Sequence, residues 1–182
     1  MLPTRGEPYL ERERNGRRAV TIDYLADHPD FVPTLARESL DFYRTLLPEE
    51  TLESRCAKLR AHRNKEALPL ALVAHDGGEV MGMAALREHD LEGHDQLTPW
   101  LGGVFVRTQH RGRGIGSVLC RAIEEKARNM GFAMLYLFTI DQQRLYARLG
   151  WQHLQTASWH GAKIDIMTKR LTFSGEVQPA KN

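Results

Sequence analysis

Cysteine is scarce in this chain. Its two residues, Cys56 and Cys120, lie far apart and show no metal-ligand spacing, so neither a disulfide framework nor a cysteine-bound zinc centre organises it. Both read as reduced thiols. No apolar run approaches the length that crosses a bilayer, and the N-terminus lacks the apolar core of a signal peptide. The expectation is a cytoplasmic protein with no membrane partner. A strong charge of one sign is missing too. There are 25 Lys and Arg against 23 Asp and Glu, a formal balance of +2. That is too little to announce a nucleic-acid partner, and stacking aromatics are absent around the arginine-bearing segment 107–113. Internal repeats and low-complexity stretches are also absent.

What is present describes one ordinary domain. The 182 residues are 42% hydrophobic and 26% charged, enough for a sizeable core under a solvated surface. Residues 1–18 are polar and broken by Pro3, Gly6, Pro8 and Gly16. Their arginines interleave with Glu7, Glu11 and Glu13, so this stretch reads as a flexible extension. The domain proper is placed at 19–171, with a frayed tail at 172–182.

The element pattern alternates strands and helices. Residues 19–26 read as a strand, and Pro29 and Asp30 open a helix over Phe31–Leu47 that Pro48 stops. Thr51 is placed to cap a second helix, Leu52–Arg63. Leu70–His75 and Glu79–Glu88 form strands joined by Asp76-Gly77-Gly78, a hairpin signal. The polar loop His89–Thr98 carries His89, Asp90, His94 and Asp95, but these lack helical spacing and any cysteine partner. It reads as the border of a pocket, with no metal assigned. Leu101–Val106 is a strand, Ile115–Met130 an amphipathic helix closed by Gly131, and Ala133–Ile140 a strand apolar on both faces and so expected to be buried on both. Asp141 opens a short helix, Trp151 begins another strand, and Ala162–Leu171 alternates as the last one.

Between the strand ending at Val106 and the helix opening at Ile115 lies Arg111-Gly112-Arg113-Gly114-Ile115-Gly116-Ser117. A strand, a turn rich in glycine and arginine, and a helix N-terminus together make an anion site, because free N–H groups and the helix dipole point the same way. The turn fits neither G-x-x-x-x-G-K-[ST] nor G-x-G-x-x-G, since Ser117 or Leu119 falls where the last glycine is needed. It does fit R-x-x-G-x-G, through Arg111, Gly114 and Gly116. Downstream, Tyr146-x-x-x-Gly150-Trp151, a Tyr-x-x-x-Gly-aromatic run, is similar to a second pattern, F/Y-Y-x-x-x-G-F/Y, with Leu145 departing at its first position. Together the two resemble the signatures of the GNAT superfamily of acyl-CoA N-acyltransferases, and the resemblance covers roughly residues 19–171.

That resemblance implies an α/β fold, with a mixed central sheet of about six to seven strands, about four flanking helices and a splay at the central strand. It implies acetyl-CoA as co-substrate and transfer of acetyl to a primary amine within a ternary complex. The pyrophosphate falls to the backbone of Gly112, Gly114, Ile115, Gly116 and Ser117, with charge from Arg111 and Arg113. The pantetheine arm falls to the edge at Val104, Phe105 and Val106, opened by a bulge at Gly102-Gly103. Tyr146 is implied as general acid. The first candidate for the base is Glu88, with Asp90 and Asp95 behind it. The acceptor is a small-molecule amine or a peptide N-terminus, the latter suggested by Thr139-x-Asp141-Gln142. A monomer or homodimer is expected. The alternative is a non-catalytic acyl-CoA-binding module, which has no need of Tyr146.

Overall fold

The structure is a computed structural model that describes residues 20–172; the extension at 1–18 and nearly all of the C-terminal tail lie outside the described residues. Its elements run β1 (Thr21–Tyr24), α1 (Val32–Tyr43), α2 (Leu52–Ala61), β2 (Leu70–His75), β3 (Val80–Arg87), β4 (Trp100–Val106), α3 (Ile115–Asn129), β5 (Met134–Thr139), α4 (Gln143–Arg148), β6 (Gln152–Trp159) and β7 (Ala162–Arg170). The sequence reading of α1 ran four residues too long: after Tyr43 the apolar residues continue, but the chain turns ahead of Pro48. Thr51 caps α2 as expected, its Oγ1 accepting the Ser54 N–H at 3.1 Å.

All seven strands join one sheet in the order β1-β2-β3-β4-β5-β7-β6. Every neighbouring pair is antiparallel except β4 and β5. Two cores lie on its two faces. Helix α3 packs Ile115, Leu119 and Ile123 against Leu72, Leu86, Leu101, Leu135 and Leu137 on one side. On the other, α1 and α2 lay Val32, Leu35 and Leu59 over Val73, Met83 and Phe105. Among the described residues no helix is long and apolar enough to cross a membrane.

Strand β5 corrects one expectation. Leu135, Leu137 and Thr139 are buried toward α3, whereas Met134, Tyr136 and Phe138 on the other face are only half-buried. The apolar character of both faces suggested two covering layers, but α1 and α2 cover the half of the sheet built on β2 and β3. The other half is met by the loop at 88–99, through Leu91 and Leu97.

Candidate active site

The parallel pair at the centre of the sheet is joined at one register position, Trp100 with Tyr136, supported by the Tyr136 N–H donating to the Pro99 carbonyl at 3.0 Å. Beyond it the strands part. The cause lies in β4, where Gly103 takes φ +58 and the register against β3 shifts between Met83 and Ala85. A left-handed residue opposite a slipped pair is a bulge, which bends the strand away from its neighbour.

The parting leaves one edge of β4 facing a gap. The Arg107 N–H donates to the Met81 carbonyl, so in this antiparallel pair Arg107 and Phe105 face β3. By alternation Val104 and Val106 turn their N–H and C=O groups into the gap. Of the three residues expected at the edge, the structure therefore brings the backbones of two to it. The Phe105 backbone faces β3 and its side chain fills the core under α1 and α2. The gap-facing carbonyls are held by side chains. Tyr43 Oη donates to Val104 O at 3.4 Å and Arg111 Nε to Val106 O at 3.0 Å.

At the far end of this edge, Gly112 and Gly114 adopt φ +74 and +78, and a Cβ at either would meet nothing within 4 Å. Gly114 begins α3. Its carbonyl accepts the first helical bond, from Val118 N–H at 3.1 Å, which leaves the N–H groups of Ile115, Gly116 and Ser117 without helical acceptors. No side chain caps this terminus and no acidic residue occupies its first turn. Gly116 packs against Val106, with a would-be Cβ 3.6 Å from Cγ2, so the helix start touches the strand end. The Arg111 guanidinium lies 4.8 Å over the Phe42 ring, and Arg113 Nη1 donates to His110 Nδ1 at 3.3 Å.

Tyr146 comes from α4 to the α3 side of the sheet, where its ring meets Trp151 edge-on at 6.2 Å. Burial raises its pKa well above that of a free phenol, with smaller contributions from Cys120, Tyr43 and Asp141. Tyr43 lies on one face of the sheet and Tyr146 on the other, close enough that Tyr43 contributes to the raised pKa of Tyr146. The seat of Tyr146 is tied down from below. Glu124 in α3 accepts from Trp151 Nε1 at 2.8 Å and pairs with Lys169 in β7 at 2.6 Å, and Lys169 also donates to the Leu149 carbonyl that ends α4. Burial pushes the neighbouring Cys120 thiol up to about 12, with Glu124 adding to it, so this cysteine is neutral at physiological pH.

On the α1–α2 side the sequence reading missed most of what is there. The Arg87 guanidinium lies over Gly102 and Gly103, donates through Nε to His62 Nε2 at 3.0 Å, and pairs with Asp90. Asp90 in turn rests its carboxylate against the Cα of Gly102, at the bulge itself. His62 donates from Nδ1 to the Lys58 carbonyl, which leaves Nε2 as acceptor. Burial and the adjoining Arg87 charge hold its pKa below the ordinary value. Arg55 is buried, donating to Ser39 at 3.0 Å and lying 3.6 Å from Glu50. Glu88, the first carboxylate in the sequence reading, is exposed one residue past the end of β3. Asp95 is exposed as well and lies 3.9 Å from His89. In sequence, Tyr43 falls within the span read as the first helix and Arg87 within the strand Glu79–Glu88. Only the bulge facing them reveals a site.

Elsewhere, Asp23, His28 and His75 bring three ligand-type atoms within 4.8 Å of one another. The Gly77 N–H donates to His75 Nδ1, so the ring proton sits on Nε2 and points at Asp23, 2.9 Å away. That is a hydrogen-bonded cluster, with the His75 lone pair turned away from where a cation would sit.

A profile of the acetyltransferase (GNAT) family matches residues 32–151, well over half of the chain. The chain belongs to this family. GNAT folds also surround it structurally. A putative acetyltransferase from Salmonella typhimurium, solved with acetyl-CoA, superposes with a TM-score of 0.64 at 18% identity, over 86% of this chain and 96% of that one. An aminoglycoside 6'-N-acetyltransferase complexed with coenzyme A gives 0.60 at 18% identity, over 79% and 94%. In sequence, the chain is 32% identical over 116 residues to N-alpha-acetyltransferase 80 of Mus musculus; the match spans 59% of this chain and 36% of the mouse protein. This GNAT chain thus shares the family's splayed mixed sheet.

Proposed function

We propose that this GNAT chain is an acetyl-CoA-dependent N-acetyltransferase that moves the acetyl group directly onto a primary amine. The observation that carries the reading is the single-bridge junction of β4 and β5, which opens a gap leading to the uncapped start of α3. A nucleotide pyrophosphate suits that start. Three N–H groups converge there, the dipole favours anions, and two glycines leave the approach clear. Arg111 and Arg113 add charge. The pantetheine arm, a peptide-like chain, suits the Val104 and Val106 edge.

The chemistry follows from what borders the gap. The neutral amine attacks the thioester carbonyl, forming C–N as C–S breaks. The oxygen gaining negative charge faces backbone N–H at the β4 bulge. Tyr146 gives its proton to the departing thiolate. A thiol has a pKa of about 8.5 and a phenol about 10, and burial keeps Tyr146 protonated until it is needed. The proton released by the amine passes to Asp90 through water. Asp90 takes this role in preference to Glu88 because its carboxylate lies at the bulge, where the amine would arrive. An acetyl-cysteine route through Cys120 has no support, since a neutral buried thiol is a poor nucleophile.

Coenzyme A thiol release from acetyl-CoA, measured with and without an amine acceptor, tests the reading. Acceptor-dependent release is expected. Tight acetyl-CoA binding with no release under any acceptor would instead favour a binding module.

A further inference from the structure

The face of the sheet that carries Asp90 continues into an aromatic surface. Trp100 sits opposite Arg87 in the β3–β4 register and is fully buried, while Leu91 follows Asp90 directly. Both belong to a cluster with Ile164 and Ile166, against which half-buried Tyr136, Phe138 and Trp159 pack. The rings form a connected run. Trp100 lies 6.0 Å from Tyr136 and 6.4 Å from Phe138, and Phe138 lies 5.2 Å from Trp159. Trp159 ends β6 at the hairpin into β7, where His160 and Gly161 take positive φ values of 46 and 79. Among the described residues no helix contributes to this cluster, and Tyr136, Phe138 and Trp159 are each left partly exposed.

The charges beside it are already matched. Asp90 pairs with Arg87 and Glu50 with Arg55, while His62 spends its lone pair on Arg87. Glu92 and Asp95 in the nearby loop are exposed, where water and salt screen them. Asp90 keeps 11% of its side chain exposed beside Arg87, an opening that suits a single ammonium. A second or third would meet the Arg87 and Arg55 guanidiniums.

Resting on the N-acetyltransferase reading, we propose that the acceptor is a primary amine carried on an apolar, preferably aromatic, body. The ammonium sits at Asp90 and the body on the Tyr136–Phe138–Trp159 surface. Polycations such as aminoglycosides and polyamines are disfavoured. A free arylalkylamine and the N-terminus of a peptide with an apolar first residue share this chemistry.

The test is kcat/KM on one panel: ethylamine, phenylethylamine, tryptamine, a peptide amide beginning with Phe, one beginning with Ser, spermidine and kanamycin. Phenylethylamine should exceed ethylamine by about tenfold or more, the return expected for covering a ring. Preference for phenylethylamine over the Phe peptide assigns a free amine, and the reverse assigns a peptide N-terminus. In Trp159→Ala, with folding checked by thermal melting, the ratio of phenylethylamine to ethylamine should shrink through KM. Phe138→Leu serves as the second variant should Trp159→Ala melt early. Preference for spermidine or kanamycin overturns this inference alone. Thiol release with none of the amines overturns it together with the transferase reading.

Discussion

The carboxylate of Asp90 lies so close to the Cα of Gly102 that a methyl group there would overlap it, with Asp90 Cγ at 2.9 Å and Arg87 Nη1 at 3.1 Å from the added carbon. Both neighbours are ends of side chains rather than backbone, so the fold can yield while the site cannot. Gly102→Ala should therefore cost about a hundredfold in turnover, since small misplacements of a reacting group carry penalties of that size. Acetyl-CoA affinity and melting temperature should change little. Steady-state kinetics beside a binding titration check this.

Tyr146→Phe removes one hydroxyl and leaves the ring against Trp151. Turnover should fall about a hundredfold or more with acetyl-CoA affinity unchanged, as expected for loss of a proton donor. Because burial raises the phenol's pKa, the wild-type rate should show no alkaline limb from this group up to about pH 10. A pH–rate profile of both proteins reads this out.

Glu124 holds Lys169 and the Trp151 indole beneath the end of α4. Glu124→Ala leaves a half-buried ammonium without its carboxylate. A loss of about 3 kcal/mol is expected, read from urea unfolding, together with a change in Trp151 fluorescence. Turnover should fall too, because Tyr146 sits on the same short helix.

Burial pushes the Asp23 carboxyl up, but hydrogen bonds from His75 and His28 outweigh it and hold the group below its ordinary value. A carboxyl lowered in the folded state stabilises above the unfolded pKa of about 4, and that stabilisation is lost as pH falls through the folded value. Asp23→Asn should therefore flatten the dependence of melting temperature on pH below about pH 4. Melting curves from acid to neutral pH check it.

Much of this fold was legible because its elements announce themselves locally. The Asp76-Gly77-Gly78 turn, the cap at Thr51 and the spacing of Ile115, Leu119 and Ile123 each settle a piece without knowledge of the rest. The glycine-arginine turn was legible for the same reason: its residues are adjacent in the chain. The polar cluster on the α1–α2 side was not. Asp90 was named as a loop carboxylate, but Tyr43, Arg55, His62 and Arg87 meet beside it only after α1 and α2 fold over β3, and each of those four taken alone looks like a helix or strand residue. The open face of β5 was misread because apolar residues look alike whether a helix or a ligand is to cover them.

The proposed seat of the acetyl-CoA pyrophosphate is the start of α3, and Gly116→Asp addresses it directly. Gly116 has ordinary φ and room for a Cβ, and an acidic residue in the first turn favours the helix while repelling a phosphate. Calorimetric titration should show acetyl-CoA affinity falling about a hundredfold or more, a loss of about 2.7 kcal/mol, while the melting temperature holds or rises. Unchanged affinity in a well-folded Gly116→Asp protein would rule out pyrophosphate binding at the start of α3.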